Sequence, residues 1–118
     1  MLKVAVVILA DTETRGDLGR LANALEAARE LKEAGDEVKV LFDGAGTKWV
    51  PVLADPAHKY HRTFTELREV VAGACAYCAR AFGVLDQVEA AGVPLLKEYR
   101  DHPSLRGLMA EGYRVLTF

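Results

Sequence analysis

The sequence is poor in the residues that most narrow a function. It holds two cysteines, three histidines and one tryptophan in 118 residues. Two thiols cannot build the disulfide framework of a small secreted domain, which fits a reducing cytoplasm. No apolar stretch approaches the roughly 18 to 20 residues that cross a bilayer, so no membrane partner is expected. Charge is nearly balanced, 15 basic against 17 acidic residues for a net charge of -2, with no basic block. That excludes the electrostatic footprint of a protein that binds nucleic acid or anionic lipid. Asn23, Gln87 and Ser104 are the sole Asn, Gln and Ser, against abundant Arg, Glu, Leu and Ala, a bias compatible with heat adaptation or with genomic base composition. An internal repeat and a linker are also missing, which leaves one domain over residues 1–118. A composition of 51% hydrophobic and 27% charged residues is that of an ordinary globular chain with its own core.

What is present is an alternation of buried strands and amphipathic helices. Val4 to Ala10 is a continuous apolar, β-branched run, the pattern of a strand covered on both faces, and it reads as such rather than as a leader because Asp11-Thr12-Glu13-Thr14 follows without a small-residue cleavage site. Leu21, Ala22, Leu25 and Ala28 keep helical spacing, with Asp17 as N-cap and Gly35 as the stop. Val38 to Phe42 closes a βαβ unit. An irregular stretch with Trp49 and Pro51 follows, then Asp55-Pro56 as cap and first-turn proline of a helix carrying Tyr60, Phe64, Leu67 and Val71. Val70 to Ala74 is read as a strand, Ala76 to Phe82 as helix, Gly83 as a break, Val84 to Ala91 as further helix and Val93 to Tyr99 as strand. Asp101-His102-Pro103 opens a last helix that Gly112 stops, and Tyr113 to Phe118 ends as strand. The expected fold is therefore α/β, three-layer α/β/α around a mostly parallel five-stranded sheet.

In such a sheet ligands bind beyond the carboxyl ends of the strands. Asp11, Asp43 to Gly46, Cys75 and Asp101-His102 each follow a strand, and His58 and His61 fall in the first turns of the helix after strand two, so both cysteines and all three histidines map to one rim. His58 lies opposite its helix's apolar stripe and His61 on its flank, which also suits a solvated surface. Cys75 and Cys78, in Cys-Ala-Tyr-Cys, stand where strand gives way to helix. Free N-H groups there favour thiolate, predicting a lowered pKa and a nucleophilic Cys75, with Cys78 one turn on and able to pair with it. As packing alone, both would be small buried hydrophobes. A thioredoxin motif would follow an early strand, and Gly44-Ala45-Gly46-Thr47-Lys48 lacks the Gly-Lys pair of a phosphate-binding loop.

The order of elements, Ala74-Cys75 followed by Gly83-Val84, and the ending from His102-Pro103-Ser104-Leu105 through Glu111-Gly112-Tyr113 to Phe118 resemble the DsrE/DsrF-like family of sulfur-relay proteins over essentially the whole chain. The resemblance implies a trimer or hexamer and a single cysteine, here Cys75, that carries sulfur as a persulfide between donor and acceptor proteins. His102 is then the proton-handling neighbour, and Cys78 a thiol able to resolve the persulfide. Whether the chain turns over as a sulfurtransferase is left open. Two alternatives stand beside this reading. One is a zinc or thiol-redox module in which Cys75 and Cys78 pair with His58 and His61. The other is a non-catalytic assembly subunit. Trp49, Val50, Val52 and Leu53 would either meet a partner subunit or cover the monomer's own core.

Overall fold

The computed structural model describes residues 1–118. Its strands are Lys3–Ile8 (β1), Glu37–Phe42 (β2), Val71–Cys75 (β3), Leu95–Leu96 (β4) and Arg114–Thr117 (β5). All neighbours pair in parallel, in the order β4-β3-β2-β1-β5. The helices are Arg15–Glu33 (α1), Trp49–Ala54 (α2), His61–Glu66 (α3), Ala76–Ala81 (α4), Leu85–Ala90 (α5) and Leu105–Ala110 (α6).

Chain direction explains the layering. From β1 to β4 each strand is laid down on the same side of the last, and right-handed crossovers then place every connection on one face. That face carries the main core, where Val4, Val6, Ile8, Val40 and Phe42 meet Leu21 and Leu25 of α1, Leu53 of α2, Phe64 of α3, Ala79 of α4 and Val88 of α5. The chain then reverses, since β5 lies beyond β1 at the opposite edge, and the same handedness sends α6 to the other face. There Ala5, Val7 and Leu41 pack on Leu108 and Tyr113. The three layers are thus unequal. Because strand residues alternate between faces and both faces are covered, β1 is apolar and buried from Val4 to Ile8, as its sequence predicts.

Several boundaries differ from the sequence reading. The N-cap of α1 is Thr14, not Asp17; Asp17 completes a capping box from the N3 position, accepting from Thr14 N-H while its own N-H donates to Thr14 Oγ1. The stop at Gly35 holds, in the left-handed region at φ 82. Residues 44–54 are helical, a 3-10 turn over Gly44–Lys48 running into α2. Asp55-Pro56 follows α2 instead of starting a helix, and α3 begins at His61. Trp49, Val50 and Leu53 are buried and Val52 packs beside them, so this segment covers the monomer's own core. The indole Nε1-H of Trp49 donates to the carbonyls of Ala10 and Asp11 at 3.0 and 3.1 Å, fastening α2 to the end of β1. Only Leu95–Leu96 of the expected Val93 to Tyr99 strand pairs, and α6 starts after Ser104, whose hydroxyl caps Gly107 N-H.

Gly46 makes the 3-10 turn possible. A Cβ there would lie 2.0 Å from the carbonyl oxygen of Ile8, so only glycine lets the turn rest on the end of β1. Gly19, mid-helix in α1, has nothing within 4 Å of a built Cβ. Gly46→Ala should therefore cost about 1–3 kcal/mol or more, and Gly19→Ala should add roughly 0.5–1 kcal/mol by restraining the unfolded chain. Urea unfolding measures both, and equal stabilities for the two variants would contradict the close approach.

Candidate functional site

The reversal after β4 also creates a crevice. The connection leaving β3 runs over one face through α4, whereas the connection leaving the adjacent β4 passes to the opposite face through α6. Strand ends whose connections part in this way flank the natural ligand site of an open α/β sheet. Cys75 is the last residue of β3 and His102 lies in the segment leaving β4.

Four side chains converge there. The ligating atoms of Asp43, Cys75, Cys78 and His102 all lie within 4.8 Å of one another. Cys75 Sγ is 3.3 Å from His102 Nδ1 and accepts from Cys78 N-H at 3.3 Å. Cys78 Sγ lies 3.5 Å from Asp43 Oδ1, which also accepts from Gly44 N-H at 2.9 Å. Both cysteines are buried and free, while Asp43 and His102 are half-buried.

His102 is held by a strained turn. Tyr99 and His102 exchange both backbone hydrogen bonds at 2.8 Å, and the two residues between them, Arg100 and Asp101, have φ of 49 and 64. Positive φ at both central positions is the geometry of a two-residue hairpin turn usually served by Asn-Gly, and it costs a residue with a Cβ roughly 1–2 kcal/mol. Contacts to α4 offset that cost. Tyr77 N-H donates to Asp101 O at 2.8 Å, Arg80 pairs with the Asp101 carboxylate at 2.8 Å, and the Tyr77 ring lies against His102 with centroids 4.7 Å apart. The sequence reading placed Asp101 and Asp43 on the rim without assigning them roles, and missed Tyr77 and Arg80 altogether. Arg-Asp carries none of the turn signature that would have announced this geometry.

His58 and His61 are not in the cluster. His58 stands edge-on to Trp49 at 6.1 Å between centroids, with Nδ1 accepting from Tyr60 N-H, and His61 Nδ1 is 2.7 Å from Leu53 O. They lie beyond α2 rather than in the first turns after β2, which is why sequence proximity to the rim misplaced them. The histidines of the four-ligand set drawn from the sequence do not come beside Cys75 and Cys78; the side chains that gather there are Asp43 and His102.

The expectation of a lowered Cys75 pKa is also corrected. Burial pushes the thiol up to about 12 from 9.0, and the neighbouring Cys78 thiol and Asp43 carboxylate act in the same direction against the single Cys78 N-H that favours thiolate. The six residues of α4 supply too short a dipole to reverse this. At rest Cys75 is a neutral thiol.

Comparison with known proteins agrees with the fold. Residues 4–118 match the family model described as the DsrE/DsrF-like family. The chain is 29% identical over 96 residues, 81% of its length and 78% of the relative's, to the uncharacterized protein MJ0733 of Methanocaldococcus jannaschii. It also superposes with a TM-score of 0.60 at 19% identity on a conserved protein of unknown function, BT1422 of Bacteroides thetaiotaomicron, covering 97% of this chain and 94% of that one. That likeness supports the α/β fold alone.

A raised folded-state pKa sets the sign of a pH effect. The unfolded thiol ionises near 9.0 and the folded one near 12, so the stability tied to the protonated form is complete below pH 9 and is lost as pH climbs from 9 towards 12. The stability difference between wild type and Cys75→Ala should accordingly shrink above pH 9 in urea titrations. Iodoacetamide labelling of Cys75, mapped by peptide mass, should run at least roughly tenfold slower at pH 8 than that of a free thiol.

Proposed function

We propose, from the premise that the chain belongs to the DsrE/DsrF-like family, that it is a cytoplasmic sulfur carrier which accepts sulfane sulfur as a persulfide on Cys75. The observation that carries this reading is the 3.3 Å contact between Cys75 Sγ and His102 Nδ1 at the strand-end crevice. A buried thiol with a raised pKa is a poor nucleophile until a base takes its proton, and a nucleophile within hydrogen-bond reach of an oriented imidazole is the usual solution. The Cys75 proton passes to His102 Nδ1 as the sulfur attacks the outer sulfur of a donor persulfide. One S–S bond forms on Cys75, the donor's S–S bond breaks, and the donor leaves as a thiolate. Cys78 N-H, already directed at Cys75 Sγ, stabilises the anion.

Discharge can follow either of two routes. An acceptor thiol attacks the outer sulfur and restores Cys75, or Cys78 attacks the inner sulfur, releasing hydrosulfide and closing a Cys75–Cys78 disulfide that an external thiol must then reduce. Access is through the 99–102 turn, because Cys75 has no exposed surface of its own. A cleft of about 560 Å³ lined by Tyr99, Pro103, Ser104, Leu105 and Arg106 borders that turn, and the exposed rings of Tyr77, Phe82 and Tyr99 nearby suit the docking of a donor or acceptor protein. The sheet face that α6 covers alone leaves Ala72, Leu96 and Val115 only half-buried, which supports assembly into a trimer or hexamer.

After incubation with a low-molecular-weight persulfide, Cys78→Ser should carry one added sulfur on Cys75 by mass spectrometry, and Cys75→Ser none. His102→Ala should slow loading by roughly 10²–10⁴-fold at neutral pH, the range of a lost general base. Loading that is unchanged in Cys75→Ser, or as fast in His102→Ala, removes the mechanism. Light scattering at micromolar concentration should give an oligomer, and a strict monomer removes the assembly.

A further inference from the structure

We propose that Asp43, Cys75, Cys78 and His102 form a closed binding site for a soft divalent cation of the zinc type, an occupant distinct from carried sulfur.

The donor set has the right chemistry. Two thiols, one imidazole nitrogen and one carboxylate oxygen make a four-ligand shell of the kind zinc takes, and soft sulfur donors favour zinc over calcium or magnesium. The spacing fits as well. Zinc bonds of about 2.3 Å to sulfur and 2.0–2.2 Å to nitrogen or oxygen place tetrahedral ligands roughly 3.3–3.8 Å apart. Here Cys75 Sγ to His102 Nδ1 is 3.3 Å, Cys78 Sγ to Asp43 Oδ1 is 3.5 Å, and every pair is within 4.8 Å. The four ligands come from three separate segments of chain, so their convergence is a property of the fold rather than of one local loop.

Supporting contacts orient the ligands as those of built metal centres are oriented. Cys78 N-H points at Cys75 Sγ, Gly44 N-H holds the Asp43 carboxylate, and the Tyr77 ring lies against the imidazole of His102. Burial of both cysteines excludes competing water. Binding breaks two S–H bonds, forms two metal–sulfur bonds and sends both protons to solvent, with no change of oxidation state. Metal and sulfur exclude one another, since a persulfide on Cys75 displaces its sulfur from the ligand position.

Reduced full-length protein, stripped with a chelator, is titrated with Co²⁺ and then Zn²⁺. The expected result is one Co²⁺ per chain, with thiolate-to-cobalt charge-transfer absorption and the visible bands of a tetrahedral site, both abolished by Zn²⁺. Asp43→Asn, which keeps the cap on Gly44, and His102→Gln should each weaken Co²⁺ binding at least roughly tenfold, with circular dichroism showing each variant folded. His58→Ala together with His61→Ala should change nothing. No charge-transfer band at micromolar protein, or a band equally strong in Asp43→Asn and His102→Gln, overturns the site. Sulfur uptake is read separately by mass on metal-free protein, so uptake without a cobalt signal overturns this inference while leaving the sulfur reading, and a four-ligand cobalt signal without uptake does the reverse.

Discussion

The site hangs on a sheet edge only two residue pairs long. Ala74 opposite Leu95 and Cys75 opposite Leu96 are the whole of the β3–β4 register, yet this pairing carries the chain across to the turn that holds His102. Gly73 permits it, because a Cβ there would meet Pro94 O at 2.4 Å and Leu96 at 2.8 Å. So short a pairing cannot fix the turn alone, and the bonds from Tyr77 and Arg80 to Asp101 return the tether to α4, whose N-cap is Cys75. The result is a closed circuit from Cys75 through α4 to Asp101 and back through His102. So short an edge pairing, with Leu96 only half-buried and Leu95 exposed no less, belongs to the low-stability end of a fold, where local opening is least costly.

That placement reconciles a buried thiol with the proposed transfer role. In the closed state desolvation keeps Cys75 protonated, which protects it from oxidation as well as from unselected electrophiles. Opening of the 99–102 turn would hydrate the sulfur and move His102 at once, so reactivity and access change together. The strain at Arg100 and Asp101 works in the same direction, since a turn held in positive φ by partners on α4 gains freedom when they part.

The sequence revealed the fold wherever burial was continuous and missed it wherever a single tertiary contact decided. Val4 to Ile8 of β1 is an apolar run and β2 ends in Val40-Leu41-Phe42, α1 has an unbroken stripe, and Gly35, Gly83 and Gly112 each end a helix with positive φ. Residues 44–54 looked irregular because their helical form depends on Gly46 resting against Ile8 and on Trp49 bonding to Ala10, neither of which leaves a periodic trace. Val93 to Tyr99 looked like a full strand because its apolar residues suit either a strand or a covered loop. At the site, Cys75, Cys78 and His102 were legible from their places after strands, while the error over His58 and His61 followed from taking their helix to start at Pro56. The thiol pKa was misread for a related reason: helix position can be seen in a sequence, but complete burial of one sulfur cannot.

The proposed cation site gives the second cysteine of this chain a role. A carrier that hands sulfur directly to an acceptor needs one thiol, with a base beside it. Cys78 adds little to that chemistry while Cys75 is empty, yet its N-H and its sulfur both face the pocket, and its sulfur lies 3.5 Å from Asp43 Oδ1, a carboxylate with no part in sulfur transfer. Two thiols, an imidazole and a carboxylate around one point suit a cation better than they suit a neutral resting pocket, where the carboxylate raises the thiol pKa it would otherwise need to lower. Occupancy of Cys75 then decides what the pocket can hold. In the proposed cation site a free Cys75 thiol completes the shell, and a persulfide moves its sulfur out of the ligand position.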